Sequence, residues 1–244
     1  MREALGFLTP LGGARRPTPG ALLWFGPVGA LIGLALGGLW WAAGAVWPRP
    51  LAAAVVLVAD LAVTGMLHLD GLADAADGLL GHLDTDRRLA VMAQSDVGAF
   101  GIGAVAVVLL VRWSALAALG PSPLLLAALW CASRTAMAVA ASELPYARPD
   151  GGLATAFRGE GPLGSRHRDL VRRGVLAATL CGAAAIGAVW SLPAGPVGVL
   201  AGLVTFGAVV AFAHRRIGGF TGDVLGAAGV VAESAGLLVA AGRW

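Results

Sequence analysis

Seven apolar segments, each long enough or nearly long enough to cross a bilayer, limit what this chain can fold into more than any other feature. They cover residues 21–46, 51–67, 97–119, 124–141, 174–192, 197–213 and 224–240. A bilayer core gives backbone groups no water, so such segments must close their own hydrogen bonds as helices. Charged residues make up 13% of the chain and hydrophobic residues 58%, about half the charge of a soluble domain. The sequence therefore predicts an all-α fold: a polytopic integral membrane helical bundle of about seven transmembrane helices, one domain over residues 1–244. Pro27 is a candidate break or kink in the first segment. The start of the chain shows no cleavable signal pattern.

All seventeen basic side chains are arginine, which excludes Walker-lysine and Schiff-base chemistry. If the segments alternate, their distribution is one-sided. Arg2, Arg15 and Arg16, then Arg87 and Arg88, then Arg148, Arg158, Arg166, Arg168, Arg172 and Arg173, then Arg215 and Arg216 all fall at one membrane surface. Only Arg49 and Arg243 fall at the other. The positive-inside rule places the N-terminus and the arginine-rich surface in the cytoplasm. The expected location is the cell membrane, as a multi-pass protein with a cytoplasmic active face. Cys131 and Cys181 lie in apolar runs and read as structural, too few and too far apart for a disulfide framework or a zinc site.

At that surface, residues 68–78 read HLDGLADAADG. Asp70, Asp74 and Asp77 are spaced four and three apart and so share one helical face. Carboxylates that close repel unless a cation stands between them, and hard oxygen ligands suit Mg²⁺ or Mn²⁺. Such a cluster beside a membrane is suited to holding metal against a diphosphate. Gly71 and Gly78 would let a bulky headgroup approach. His68, a histidine and so of a type whose ordinary pKa lies near neutrality, is a candidate general base, as is Asp77. The stretch Gly218-Gly219-Phe220-Thr221-Gly222-Asp223 offers a phosphate nest, with Asp223 facing the same surface as the triad. In the long loop after the fourth segment, Arg148 is a candidate phosphate grip and Tyr146, the only tyrosine, a stacking surface.

Four charged residues fall inside apolar segments: Asp60, Arg112, Arg134 and Glu233. Asp60 and Arg134 are expected roughly 10 Å deep and Glu233 about 15 Å deep, at the helical rise. Arg112, nearer the other surface, is expected to snorkel. Arg134 is expected to pair with Asp60 or Glu233, since charges at such depth need partners.

The string of residues 68–78, Ser95–Gly101 (SDVGAFG), Ser133-Arg134, Pro145-Tyr146-Ala147-Arg148 and Thr221-Gly222-Asp223 with Gly226-Ala227 resembles the cobalamin synthase family, the adenosylcobinamide-GDP ribazoletransferases. The likeness runs in order along nearly the whole chain. It departs at Ala93 and Gln94, where family members often carry a basic–acidic pair, at Pro10, where many have Arg, and at Val230, where many have Glu. The resemblance implies one catalytic domain that joins adenosylcobinamide-GDP to α-ribazole, or its 5′-phosphate, and releases GMP, with Mg²⁺ as cofactor. It implies metal ligands at Asp70, Asp74, Asp77 and Asp223. Substrate contacts fall at Arg134, Tyr146, Arg148, Thr221 and Gly222, and proton transfer at Asp77 or His68. The implied partners are the two substrates, the lipid bilayer and other cobalamin-assembly enzymes, with no nucleic acid. A transporter would need no three acids on one rim. A prenyltransferase would want a second clustered Asp motif, and the D-G-x-x-A-R spacing of CDP-alcohol phosphotransferases is absent.

Overall fold

The structure is a computed structural model that describes residues 1–13, 18–148 and 165–244. The helices are α1 (Arg2–Leu8), α2 (Phe25–Val46), α3 (Arg49–Thr64), α4 (Leu67–Leu80), α5 (Thr85–Val91), α6 (Ala99–Ala118), α7 (Pro123–Glu143), α8 (Ser165–Trp190), α9 (Ala194–Ile217) and α10 (Gly222–Ala240). Among the described residues the only β-type pairing is one isolated bridge, Tyr146 with Phe220. Six helices are long and apolar enough to cross a membrane: α2, α6, α7, α8, α9 and α10. The bent pair α3–α4 brings the number to seven if it is one span. Pro27 does not break α2; it sits in the first turn, where a missing N–H leaves no bond unmade.

α7 forms the centre, buried along most of its length. α2 lies tightly on it because Gly29, Gly33 and Gly37 follow one another every four residues. Side chains there would collide with the backbone at Trp130, Leu126 and Pro123. Small residues at this spacing let two helices touch where lipid gives no hydrophobic drive to associate.

The expected second segment, residues 51–67, is α3, and it ends in a sharp turn into a further helix. α3 ends at Gly65 and Met66, both left-handed, with φ of 59° and 57°. Two successive left-handed residues turn the chain, and α4 leaves at 87° to α3. Gly65 takes this conformation freely, whereas Met66 does so at a cost of about 1–3 kcal/mol. α4 is thus a short helix nearly perpendicular to α3, and it carries the aspartates. Contacts gather the arginine-bearing connections at one end of the bundle. Pro10 packs on Gly65, Thr85 Oγ1 donates to the Arg216 carbonyl at 3.2 Å, and Arg173 pairs with Glu143 at 2.6 Å. Arg15, Arg16 and Arg158 lie outside the described residues.

The interior is held by ions. Arg112 does not snorkel: it is 3% exposed and pairs with Asp60 and, at 2.9 Å, with Glu233. It also donates to the Val230 carbonyl at 3.0 Å and to Ser234 Oγ at 3.2 Å, and it stacks over Trp130. Asp60 accepts in addition from Trp130 Nε1 at 3.2 Å. Arg134, 1% exposed, pairs with Glu233 as expected. The correction for Arg112 has a physical reason: two acids on α3 and α10 face its helix at the same depth, so pairing inward satisfies it better than reaching for the surface. The two arginines and two acids balance, so the cluster buries no net charge.

Removing one member leaves an unpaired charge, which costs about 3–5 kcal/mol when desolvated. Asp60→Ala and Glu233→Ala should each lower the melting temperature of the detergent-solubilised protein far more than Arg173→Ala, at the exposed Glu143 pair. Equal losses from interior and surface changes would contradict the network.

Candidate active site

α4 lies across the start of α10. Gly71 packs directly on Asp223, where an added Cβ would stand 2.9 Å from the carbonyl oxygen, and Gly226 packs on His68. Gly71 and Gly78 therefore serve helix contact, Gly78 against Met92 and the Arg88 carbonyl, and neither opens a path for a headgroup. The close approach puts Asp70, Asp74 and Asp223 on one surface. Asp70 is exposed, and Asp74, Asp77 and Asp223 are half-buried.

The end of α4 is clamped twice. Arg88, 4% exposed, donates to the carbonyls of Gly78 at 2.9 Å and Leu79 at 2.8 Å, so it closes the helix's free acceptors. Asp77 accepts from the N–H groups of Gly98 at 2.6 Å and Gly101 at 2.9 Å. Gly98 is the N-cap residue of α6 and has no side chain to cap with, so Asp77 caps α6 from another helix. Neither role showed in the sequence. The one available hint was glycine where a capping side chain would stand.

The Asp74 carboxyl is pushed above its ordinary range. Burial first, then the charges of Asp70 and Asp223, push its carboxyl up to about 6; Arg148 pulls against this and Asp77 adds a smaller upward push. The crowding thus centres on Asp70, Asp74 and Asp223, with Asp77 at its edge. Among the described residues no three His, Cys, Asp or Glu side chains stand close enough to hold a metal ion between them. The donor set still fits Mg²⁺ that arrives with a phosphate, since Mg²⁺ ordinarily takes one or two carboxylates and completes its shell with phosphate oxygens and water.

The remaining candidates fall in two groups. His68 is turned inward, two residues or about 200° around the helix from Asp70. It lines a cavity of about 10 Å³ with Asp60, Thr64, Arg112, Arg134 and Glu233, and its Nδ1 has no partner. Arg134 shares that interior. Neither reaches the aspartate surface. Tyr146, Arg148, Thr221 and Gly222 do surround it. Ala147 N–H donates to the Phe220 carbonyl at 2.9 Å and Phe220 N–H to the Pro145 carbonyl at 3.0 Å, so the loop after α7 is tied to the entry of α10. Tyr146 packs edge-on against Phe220. Arg148 then reaches Asp223 at 2.7 Å. Thr221, fully buried, caps α10 by accepting from Val224 N–H at 3.2 Å and donates to Asp223 Oδ2 at 3.1 Å. Gly222 is exposed at the start of α10, where free N–H groups favour an anion. Asp150, Gly151, Gly152 and Leu153 lie outside the described residues. Beside Asp70 a groove of about 720 Å³ runs between α4 and α6, lined by Met66, Leu69, Ala73, Val97, Ile102 and Val105.

The chain matches the family model described as Cobalamin-5-phosphate synthase over residues 1–241. A protein of Chlorobaculum tepidum named adenosylcobinamide-GDP ribazoletransferase is 38% identical over 234 residues, 91% of this chain and 85% of that one. One of the same name from Bradyrhizobium diazoefficiens is 37% identical over 255 residues, 99% of this chain and 92% of that one. No solved structure matches.

An acid with a raised pKa binds more protons folded than unfolded between its two pKa values, so the contribution of Asp74 to the stability of the ligand-free protein should fall as pH rises from about 4 to about 6. Asp74→Asn should remove that part of the slope. Melted without metal, the variant should equal the parent near pH 4 and exceed it at pH 7. A variant that is less stable at pH 7 would contradict the crowding.

Proposed function

This chain belongs to the cobalamin-5-phosphate synthase family, and we propose that it joins adenosylcobinamide-GDP to α-ribazole, or to α-ribazole 5′-phosphate, with release of GMP. The single observation that carries the reading is the carboxylate surface of Asp70, Asp74 and Asp223, made by α4 crossing the start of α10. A diphosphate needs cationic neutralisation where it is cleaved, and the surface is rimmed by the cation Arg148 and by the start of α10.

The ribazole hydroxyl attacks the phosphorus on the cobinamide side, the bond to the GMP phosphate oxygen breaks, and GMP leaves. Mg²⁺, which one or two of the carboxylates of Asp70, Asp74 and Asp223 would hold, would supply charge neutralisation for the leaving phosphate. Arg148 binds phosphate oxygens, and the first N–H groups of α10 point an anion toward the carboxylates. The hydroxyl proton passes to a carboxylate oxygen of the cluster. Asp77 is poorly suited to take it, since both its oxygens accept backbone N–H groups, and His68 faces the interior. The apolar groove that ends at Asp70 suits the flat heteroaromatic base of ribazole. By the positive-inside rule the reading also puts this end of the bundle, and the N-terminus, on the cytoplasmic side of the cell membrane, open to other cobalamin-assembly enzymes.

Turnover by detergent-purified protein with both substrates and Mg²⁺ tests this. Asp70→Asn and Asp74→Asn should each cut product formation by about 100-fold or more, the scale for losing a stabiliser of developing charge, and should leave the fold intact. Near-normal turnover by Asp74→Asn at limiting Mg²⁺ would contradict the assignment.

A further inference from the structure

Arg148 and Asp223 form the one ion pair in which a proposed phosphate ligand holds a proposed metal ligand, among the described residues. The pair is short, 2.7 Å, yet open: the side chains are 31% and 25% exposed. The Arg148 guanidinium is under-used. The same terminal nitrogen that meets Asp223 also reaches the Met92 carbonyl, at 3.3 Å, and the buried Nε has no partner. A guanidinium has five donors in a rigid fork, so this one retains capacity for the paired oxygens of a phosphate. Its backbone is fixed, because Ala147 and Phe220 are tied to the α10 entry. Only side-chain rotation is needed to move the charge. On the other side, Asp223 Oδ2 is occupied by both Arg148 and Thr221, and no three acids of the described residues are arranged to hold an ion unaided.

We propose that Arg148 is an exchangeable counter-cation that makes divalent-metal binding conditional on a diphosphate. In the ligand-free protein it neutralises Asp223. A nucleoside diphosphate, which offers more charge and paired oxygens to a fork that meets Asp223 through one nitrogen only, draws it off, and Asp223 then turns to the metal that accompanies the phosphates. No bond is made or broken in the exchange. The device keeps the carboxylate surface from trapping a bare ion and couples the two ligands. It rests on the metal–diphosphate reading above.

Two bindings test it on the full chain in detergent: Mn²⁺ alone, read from the EPR signal of the free ion, and radiolabelled GDP, read by retention on immobilised protein. Arg148→Gln should bind Mn²⁺ about three- to fivefold more tightly than wild type, the scale of a partly exposed pair, and should retain GDP in Mn²⁺ about tenfold less well. Arg148→Lys, which keeps the charge, should bind Mn²⁺ as wild type does. Asp223→Asn supplies the reciprocal arm. It releases Arg148, so GDP retention without metal should rise several-fold. Unchanged or weaker Mn²⁺ binding by an Arg148→Gln protein that melts normally would overturn the proposal. So would unchanged or weaker metal-free GDP retention by Asp223→Asn, which decides the matter even if Arg148→Gln fails to fold. Absence of Mn²⁺ binding by wild type with GDP present would instead remove the metal reading, and the metal-free GDP arm would still decide the exchange.

Discussion

Two buried arginines shared between two buried acids organise this bundle. Arg112 on α6 joins Asp60 on α3 to Glu233 on α10, and Glu233 joins Arg134 on α7. Four helices distant in sequence thus meet through charges that lipid will not solvate. An ion at that depth has no acceptable alternative to its partner, so the network fixes relative height and rotation more sharply than apolar packing can. α3 is held where its end must turn, and the left-handed pair Gly65–Met66 sends α4 across the start of α10. The aspartate surface follows from that turn.

The site is consequently assembled by backbone contact as much as by side chains. Gly71 brings α4 against Asp223, the Pro145–Ala147 segment ties Arg148 beside it, and Arg88 and Asp77 fix the far end of α4 to α5 and α6. Acids that repel are pressed together by contacts on their other faces. Burial first, and then the neighbouring charges of Asp70 and Asp223, raise the Asp74 carboxyl. A surface of this kind is poised to gain from a cation, and Arg148 supplies a provisional one.

Much of this was legible in the sequence. Apolar length gave the bundle, arginine spacing gave a common end for the polar loops, and the four-then-three spacing of Asp70, Asp74 and Asp77 gave one helical face. The need of buried charges for partners gave Arg134 a carboxylate partner, but depth favoured Asp60, and the pair formed is with Glu233. Other parts were not legible, for physical reasons. The bend at Gly65–Met66 needs a left-handed methionine, which no sequence rule anticipates. Arg112 was misplaced because its depth along α6 says nothing of the acids facing it from α3 and α10. Asp77 as a cap for α6 is a long-range contact without periodicity. The spacing of Arg148 and Asp223 showed two candidate ligand contacts and could not show that each holds the other.

The central claim is that α4 lies on the bundle with its carboxylate face outward and its other face against α10. A single-cysteine scan of residues 68–79 tests it most directly, in a background where the exposed Cys181 is serine, with a charged thiol reagent. Positions 70 and 74 should label fast, and positions 68, 71, 72, 75, 76 and 79 slowly, with GDP plus Mn²⁺ protecting the fast pair. Uniform labelling along α4, or fast labelling at 72, 75 and 76, would contradict the account.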